Sequence, residues 1–340
     1  MLKPFFVNLN KLRRKSSFID DSLWNNYFNS QYTGNKTKSC NNCKIVSGKS
    51  QYYLEDCNFF NDNDGVIIFN DISNTLFLHN RCSFIKCTST EEGSCVLYKT
   101  SDSSIVQRRF CCTKCQSSKD GHFSYTEIGI NSLHLNFFIE SSLFDVGNES
   151  IGKDVIYAFD GNISVSSTNF SSCKAVGSPS CYLFPSPNCI STINYSTFVN
   201  NKGTGNYSVI VDIRYNSLMD SCNIINNTVT ISINGIIIHE LGLLTIKSCS
   251  FINNTVPEDS FLIYNLNDLT VDNCYIDKSI PKTFSSNVEP KNPRELFTNK
   301  LIHLSTGICQ AKFAIIKKTN DIDNKLHLII IALLNTRKSS

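Results

Sequence analysis

The sequence predicts an all-β chain wound as one right-handed parallel β-helix, a solenoid of about nine coils with capping segments. Three observations carry that expectation. The octets CNIINNTV (222–229) and CSFINNTV (249–256) are nearly identical, 27 residues apart, and are approximated several more times. Apolar residues inside each copy alternate with the two-residue period of a strand. Ser, Asn, Ile and Phe are abundant while Ala and Met are scarce, a bias toward strand and turn.

Taking the Phe of CSFINN as reference, the same place is held by Phe59, Phe84, Cys112, Phe144, Phe170, Phe198, Ile224, Phe251 and Ile276. The steps of 25, 28, 32, 26, 28, 26, 27 and 25 residues lie in the range of solenoid repeats. Leu244, Ile246, Cys249 and Phe251 match Leu269, Val271, Cys274 and Ile276, and Ile163, Val165, Thr168 and Phe170 hold the same offsets. The alternation skips a beat just before Cys or Thr, which predicts a bend there and a second short strand after it. Three residues past the reference comes a turn residue: Cys87, Cys115, Cys173, Asn201, Asn227 or Asn254. A third strand follows, as in GVIIF (65–69), CVLY (95–98), DVIYAF (154–159), CYLF (181–184), SVIV (208–211), GIIIH (235–239) and FLIY (261–264).

Three short strands and three turns per copy are the content of one β-helix coil. Helical solenoids are disfavoured, because no copy holds an uninterrupted stretch of helical periodicity. Leucine-rich repeats would space leucines, and a β-sandwich would show hairpin turns without a fixed register. In parallel stacking each coil lies about 4.8 Å above the last, so equivalent residues sit over one another. The Phe positions then form an interior aromatic column, the Asn positions a hydrogen-bonded ladder, and Cys57, Cys82, Cys222, Cys249 and Cys274 a third file. About nine coils give a rod on the order of 40 Å long, right-handed by the general preference of parallel crossovers.

The organisation expected is an N-terminal cap over 1–50, repeats over 51–280, and a C-terminal cap or tail over 281–340. The first segment holds Trp24 and the basic KLRRK (11–15), read as a solvated face. Its apolar FFV precedes the basic cluster, the reverse of a secretory signal peptide. In the tail, nine helical residues of LHLIIIALL (326–334) reach roughly 14 Å against about 30 Å of hydrocarbon. A closing strand is expected there, as in LIHLSTGICQAKFAII (301–316), and membrane anchorage is not evident.

The F-x-x-N of Phe198–Asn201 and Phe251–Asn254, with Ile224–Asn227 beside them, resembles a motif of the chlamydial polymorphic outer-membrane proteins and of similar surface families in parasitic protists such as trichomonads. Their companion Gly-Gly-Ala-Ile strand is reduced here to DGVIIF, GSCVLY and NGIIIH. The resemblance covers roughly residues 50–280. It implies a pectin-lyase-like right-handed β-helix at a cell surface or outside the cell, linked to adhesion.

Charge excludes little but is informative. With 32 basic and 29 acidic residues the net charge is +3, giving no field suited to nucleic acid. Sixteen cysteines suggest an oxidising compartment or a thiol-rich core. CNNC (40–43) and CCTKC (111–115) have the spacing of zinc or redox pairs, but lie several coils apart, and the file cysteines read as small apolar residues. Disulfides are expected near the N-terminal end, among Cys40, Cys43 and Cys57. Six histidines (79, 122, 134, 239, 303, 327) show no ligand spacing. No catalytic, cofactor-binding or metal-ligating residue is therefore assigned.

The function expected is non-catalytic: a surface or secreted repeat protein for adhesion or recognition, its lateral Ser, Asn and Thr facing a host-cell, matrix glycan or protein partner. One alternative is a polysaccharide-active lyase or hydrolase on the same fold. It places Asp212 beside His239 on adjacent coils, with Arg214 and Glu240 nearby, as a general base oriented by a carboxylate. DGHF (120–123) adds only a faint glycosidase-like Gly-His. A further alternative is a fragment of a larger membrane-anchored surface protein.

Overall fold

The computed structural model describes residues 21–34, 36–43, 50–206, 208–231, 234–277, 283–284 and 288–301. It shows a parallel β-solenoid. Three long sheets of ten, nine and eight strands run along its sides, and two small sheets of two and three strands complete the turns. The third strand type is present once more than expected, at Ser124–Glu127.

One coil shows how sequence becomes shape. Asn162–Ser166 lies in the first sheet and turns Ile163 and Val165 into the core. Ser167 then takes φ 51°, and this left-handed residue is the predicted bend. Asn169–Ser171 continues in the second sheet with Phe170 inward, Ser172 (φ 55°) makes the next corner, and Cys181–Phe184 returns in the third sheet. The same corner recurs at Asp56, Arg81, Arg109, Glu140, Tyr195, Ser221, Ser248 and Asn273, none of them glycine. A left-handed L-residue costs about 1–2 kcal/mol. Each corner N–H offsets this by bonding the next coil, as from Ser167 to Asn194 O at 2.9 Å.

The second sheet carries the predicted files. Phe59 pairs with Phe84, Phe170 with Phe198, Phe198 with Ile224, Ile224 with Phe251, and Phe251 with Ile276. The Phe59–Phe84 and Phe170–Phe198 rings stack, with centroids 5.1 Å apart in both pairs. One position is corrected. Leu143, not Phe144, pairs with Cys112 and Phe170, while Phe144 faces outward between Thr113 and Ser171. The residue two places earlier sets the register. Ser141 Oγ donates to Ile139 O at 2.7 Å and accepts the Phe110 N–H, doing at that corner what Cys57 and Cys82 do at theirs. The column is thus broken by Cys112 and Leu143, and Phe110 and Phe123, stacked 4.4 Å apart, fill the interior there.

The asparagine ladder is formed as predicted. Asn201 Oδ1 accepts the Cys173 N–H at 2.9 Å, Asn227 Oδ1 the Asn201 N–H at 3.0 Å, and Asn254 Oδ1 the Asn227 N–H at 3.1 Å. Each Nδ2 donates to a carbonyl of the preceding coil: Phe170, Phe198 and Ile224. Every rung therefore satisfies main-chain groups that the corner would leave buried without partners.

The N-terminal segment contributes in two ways. Lys36–Lys38 adds a parallel strand beside Tyr53–Glu55, so pairing begins before residue 51. The helix Asp21–Phe28 lies against the outer face of the first sheet, where Trp24 is buried with Tyr53, Leu78 and Val106. KLRRK (11–15), LHLIIIALL (326–334) and residues 302–316 lie outside the described residues.

His79 and His122 are enclosed in the interior. His79 faces inward, its Nε2 3.0 Å from Gln107 Oε1, and His122 Nδ1 accepts the Ser117 N–H at 3.0 Å. Burial pushes each imidazole down to about 4.

Two stability tests follow. Asn227→Ala orphans the Asn201 N–H and should lower unfolding free energy by about 1–3 kcal/mol, whereas Phe198→Ala should cost about 3–5 kcal/mol, read by urea denaturation. The histidines stay neutral in the fold but take up protons when unfolded below pH 6.5. Their contribution is complete above that pH and is lost as pH falls toward 4, on the order of 3 kcal/mol each. Melting temperature should drop across that window, less steeply in His79→Gln.

Candidate functional site on the third sheet

Along the third sheet, alternate residues must point outward, and in the middle coils those residues are aromatic. Register places Tyr125 beside Tyr157 and Tyr157 beside Tyr182. Their rings stack with centroids 4.5 and 4.9 Å apart and planes within 6°. Two residues along, Phe159 and Phe184 form a second stack at 4.6 Å. Tyr215 meets Phe184 edge-on at 5.1 Å. All five rings of the two stacks are half-buried.

Cations close both ends of the tyrosine stack. Lys99 Nζ lies 5.2 Å from the Tyr125 centroid, and the Arg214 guanidinium 5.7 Å from that of Tyr182. Because the rings cover one another's faces, the strip presents ring edges and phenol oxygens. Tyr125 Oη also donates to Glu127 Oε2 at 3.4 Å. Burial raises all three phenols, Tyr182 to about 12, so they remain neutral donors near pH 7.

Arg214 is the hub of the C-terminal end. Its Nε and Nη2 hold Asp212 at 2.9 and 3.3 Å, and its Nη1 pairs with Glu240. Burial lifts the Asp212 carboxyl to about 6, against the pull of Arg214. His239 does not join this group. Asp212 pairs with Ile238, and His239 with Ile213, so the carboxylate and the imidazole occupy opposite faces of the sheet. His239 is fully buried, its Nδ1 2.7 Å from Asn265 Oδ1 and its Nε2 2.6 Å from Tyr215 O. The Asp212–His239 arrangement expected for a hydrolase or lyase is therefore not formed, because a shift of one residue reverses the face. His122 of DGHF is likewise interior.

The cysteines divide by position. Cys40 and Cys43 are joined in a disulfide, Cα atoms 5.8 Å apart. Cys57, Cys82, Cys222, Cys249 and Cys274 are free and buried in their file, where the Cys249 and Cys274 sulfurs accept N–H bonds from Cys222 and Cys249 at 3.4 and 3.3 Å. Among the described residues no helix is long and apolar enough to cross a membrane.

On the first sheet Thr192 donates to Ser164 at 2.9 Å. The aromatic strip on the third sheet was missed. Its signal lies in the sequence as tyrosines at one offset in SYTE, VIYAF and CYLF, visible only after SYTE is accepted as a strand.

Replacing Arg214 by Leu should strip Asp212 of its counter-charge and raise its carboxyl above about 6, which carboxyl NMR titration would register. No family model, curated protein or solved structure matches this chain.

Proposed function

We propose that this protein is a non-catalytic recognition solenoid, of the cell-surface or secreted kind, whose third-sheet strip binds an extended glycan. The observation that carries this is the capped stack Lys99–Tyr125–Tyr157–Tyr182–Arg214, with Phe159 and Phe184 alongside. Tyrosine and arginine supply large contact area at low entropic cost together with polar tips. Sugar hydroxyls suit phenol oxygens, guanidinium and carboxylate, and sugar C–H groups gain dispersion contact along the row of ring edges. The coil repeat of about 4.8 Å is close to the length of one sugar ring, so successive units of a chain would meet successive coils. Display outside the cell rests on the F-x-x-N resemblance and is supported by the Cys40–Cys43 disulfide.

Glycan-array binding followed by calorimetry tests this reading. Saturable binding is expected, weakened at least about tenfold (about 1.4 kcal/mol) by Tyr157→Ala or Arg214→Ala and unchanged by Thr192→Ala on the first sheet. Binding insensitive to the strip variants, or binding to matrix proteins alone, would overturn the glycan assignment. Turnover of a bound glycan would overturn the non-catalytic one.

A further inference from the structure

We propose that Cys87, Cys95, Cys112 and Cys115 together form a structural site for a soft divalent cation, zinc, enclosed between two coils. Sequence spacing joins only Cys112 and Cys115; the other two arrive from the coil before. Pairing of Thr88 with Gln116 sets Cys115 over Cys87, and pairing of Phe84 with Cys112 fixes the second coil's register. Cys95 enters from the opposite side, immediately before the third-sheet strand Val96–Ser101.

The sulfurs of Cys87, Cys95 and Cys115 all lie within 4.8 Å of one another. The Cys112 thiol interacts with those of Cys95 and Cys115 from just outside that group. All four residues are at most 2% exposed. A tetrahedral tetrathiolate with Zn–S of about 2.3 Å has sulfurs about 3.8 Å apart, so Cys87, Cys95 and Cys115 need to contract by about an ångström or less, and Cys112 swings in to complete the set. Four sulfur donors and no open position match a closed structural site and favour zinc over harder cations.

The surroundings already contain a group that favours a thiolate: the Cys87 N–H donates to Cys115 Sγ at 3.3 Å. On binding, four S–H bonds break, four protons leave to solvent, and four Zn–S bonds form.

Two other groups of neighbouring cysteines among the described residues do not compete. In the file Cys222–Cys249–Cys274 the middle sulfur meets one neighbour on each side and the end sulfurs only Cys249, a line and not a tetrahedron. Near the N-terminal end, Cys57 lies close to Cys40 and Cys43, but those two sulfurs are committed to each other.

The test is elemental analysis of the full chain purified without chelator, followed by cobalt(II) reconstitution. One zinc per chain is expected, and cobalt should give the thiolate charge-transfer and visible bands of a tetrahedral tetrathiolate. Cys112→Ser and Cys115→Ser should each lower zinc content at least about tenfold, while Cys222→Ser should leave it intact. Because the first two variants risk misfolding, alkylation of the wild type is read in parallel. The four cysteines should resist iodoacetamide in denaturant until a strong chelator is added. Wild-type protein without stoichiometric zinc, with these four thiols freely alkylated in denaturant or paired as disulfides, would overturn the proposal.

Discussion

Parallel backbone pairing between successive coils, at about 4.8 Å, is the constraint on which the rest of this molecule depends. Once a chain returns to the same side at that spacing, each residue has its own offset above and below it. A corner cannot be built differently in one coil without misplacing every strand that follows. Hence nine successive first corners adopt the same left-handed conformation although their residues range from Asp to Tyr. Position in the stack dictates the backbone, and inter-coil hydrogen bonds outweigh local preference.

The same constraint makes interior substitutions compensate one another. Where the aromatic column gives way to Cys112, the adjoining file carries Phe110 instead of a small thiol or hydroxyl, and Phe123 stacks on it. Where the file returns to small residues, Ser141, Thr168 and Ser196 donate to the carbonyl two residues earlier, as the cysteines do. Sulfur and hydroxyl are interchangeable here because the geometric role, a short donor folded back onto its own corner, is unchanged.

This explains what could be read from sequence and what could not. The period, the bend, the Asn201–Asn227–Asn254 ladder and most of the Phe file were legible because each must meet its like one coil away. Leu143 and Phe144 are both apolar, so alternation could not choose between them until the Ser141 corner fixed the register. The strand Ser124–Glu127 was hidden because its inward residues are polar. Ser124 accepts from Gln107 Nε2 at 2.9 Å and Thr126 bonds Asn136 at 3.1 Å, so a hydrophobic pattern is absent from a strand that is nonetheless interior. Without that strand the tyrosine strip loses its first member, and the alignment that put His239 beside Asp212 lacked the register that separates them.

The outer surface is where stacking demands least, so regularity there calls for its own cause. Interior repetition follows from packing; three tyrosines stacked on the outside of successive coils do not, since the solenoid closes equally well with Asp212 and Ile238 at the next two positions of the same row. The strip begins at Tyr125, in the coil where the Phe column breaks and where Cys112 and Cys115 lie beneath it. A platform that must hold its rings parallel to within a few degrees needs rigid coils under it. A metal clamp joining the coils that carry Cys87 and Cys115 would add to the Phe110–Phe123 packing beneath it, and would link the proposed zinc site to the proposed recognition surface through the strand that carries Tyr125.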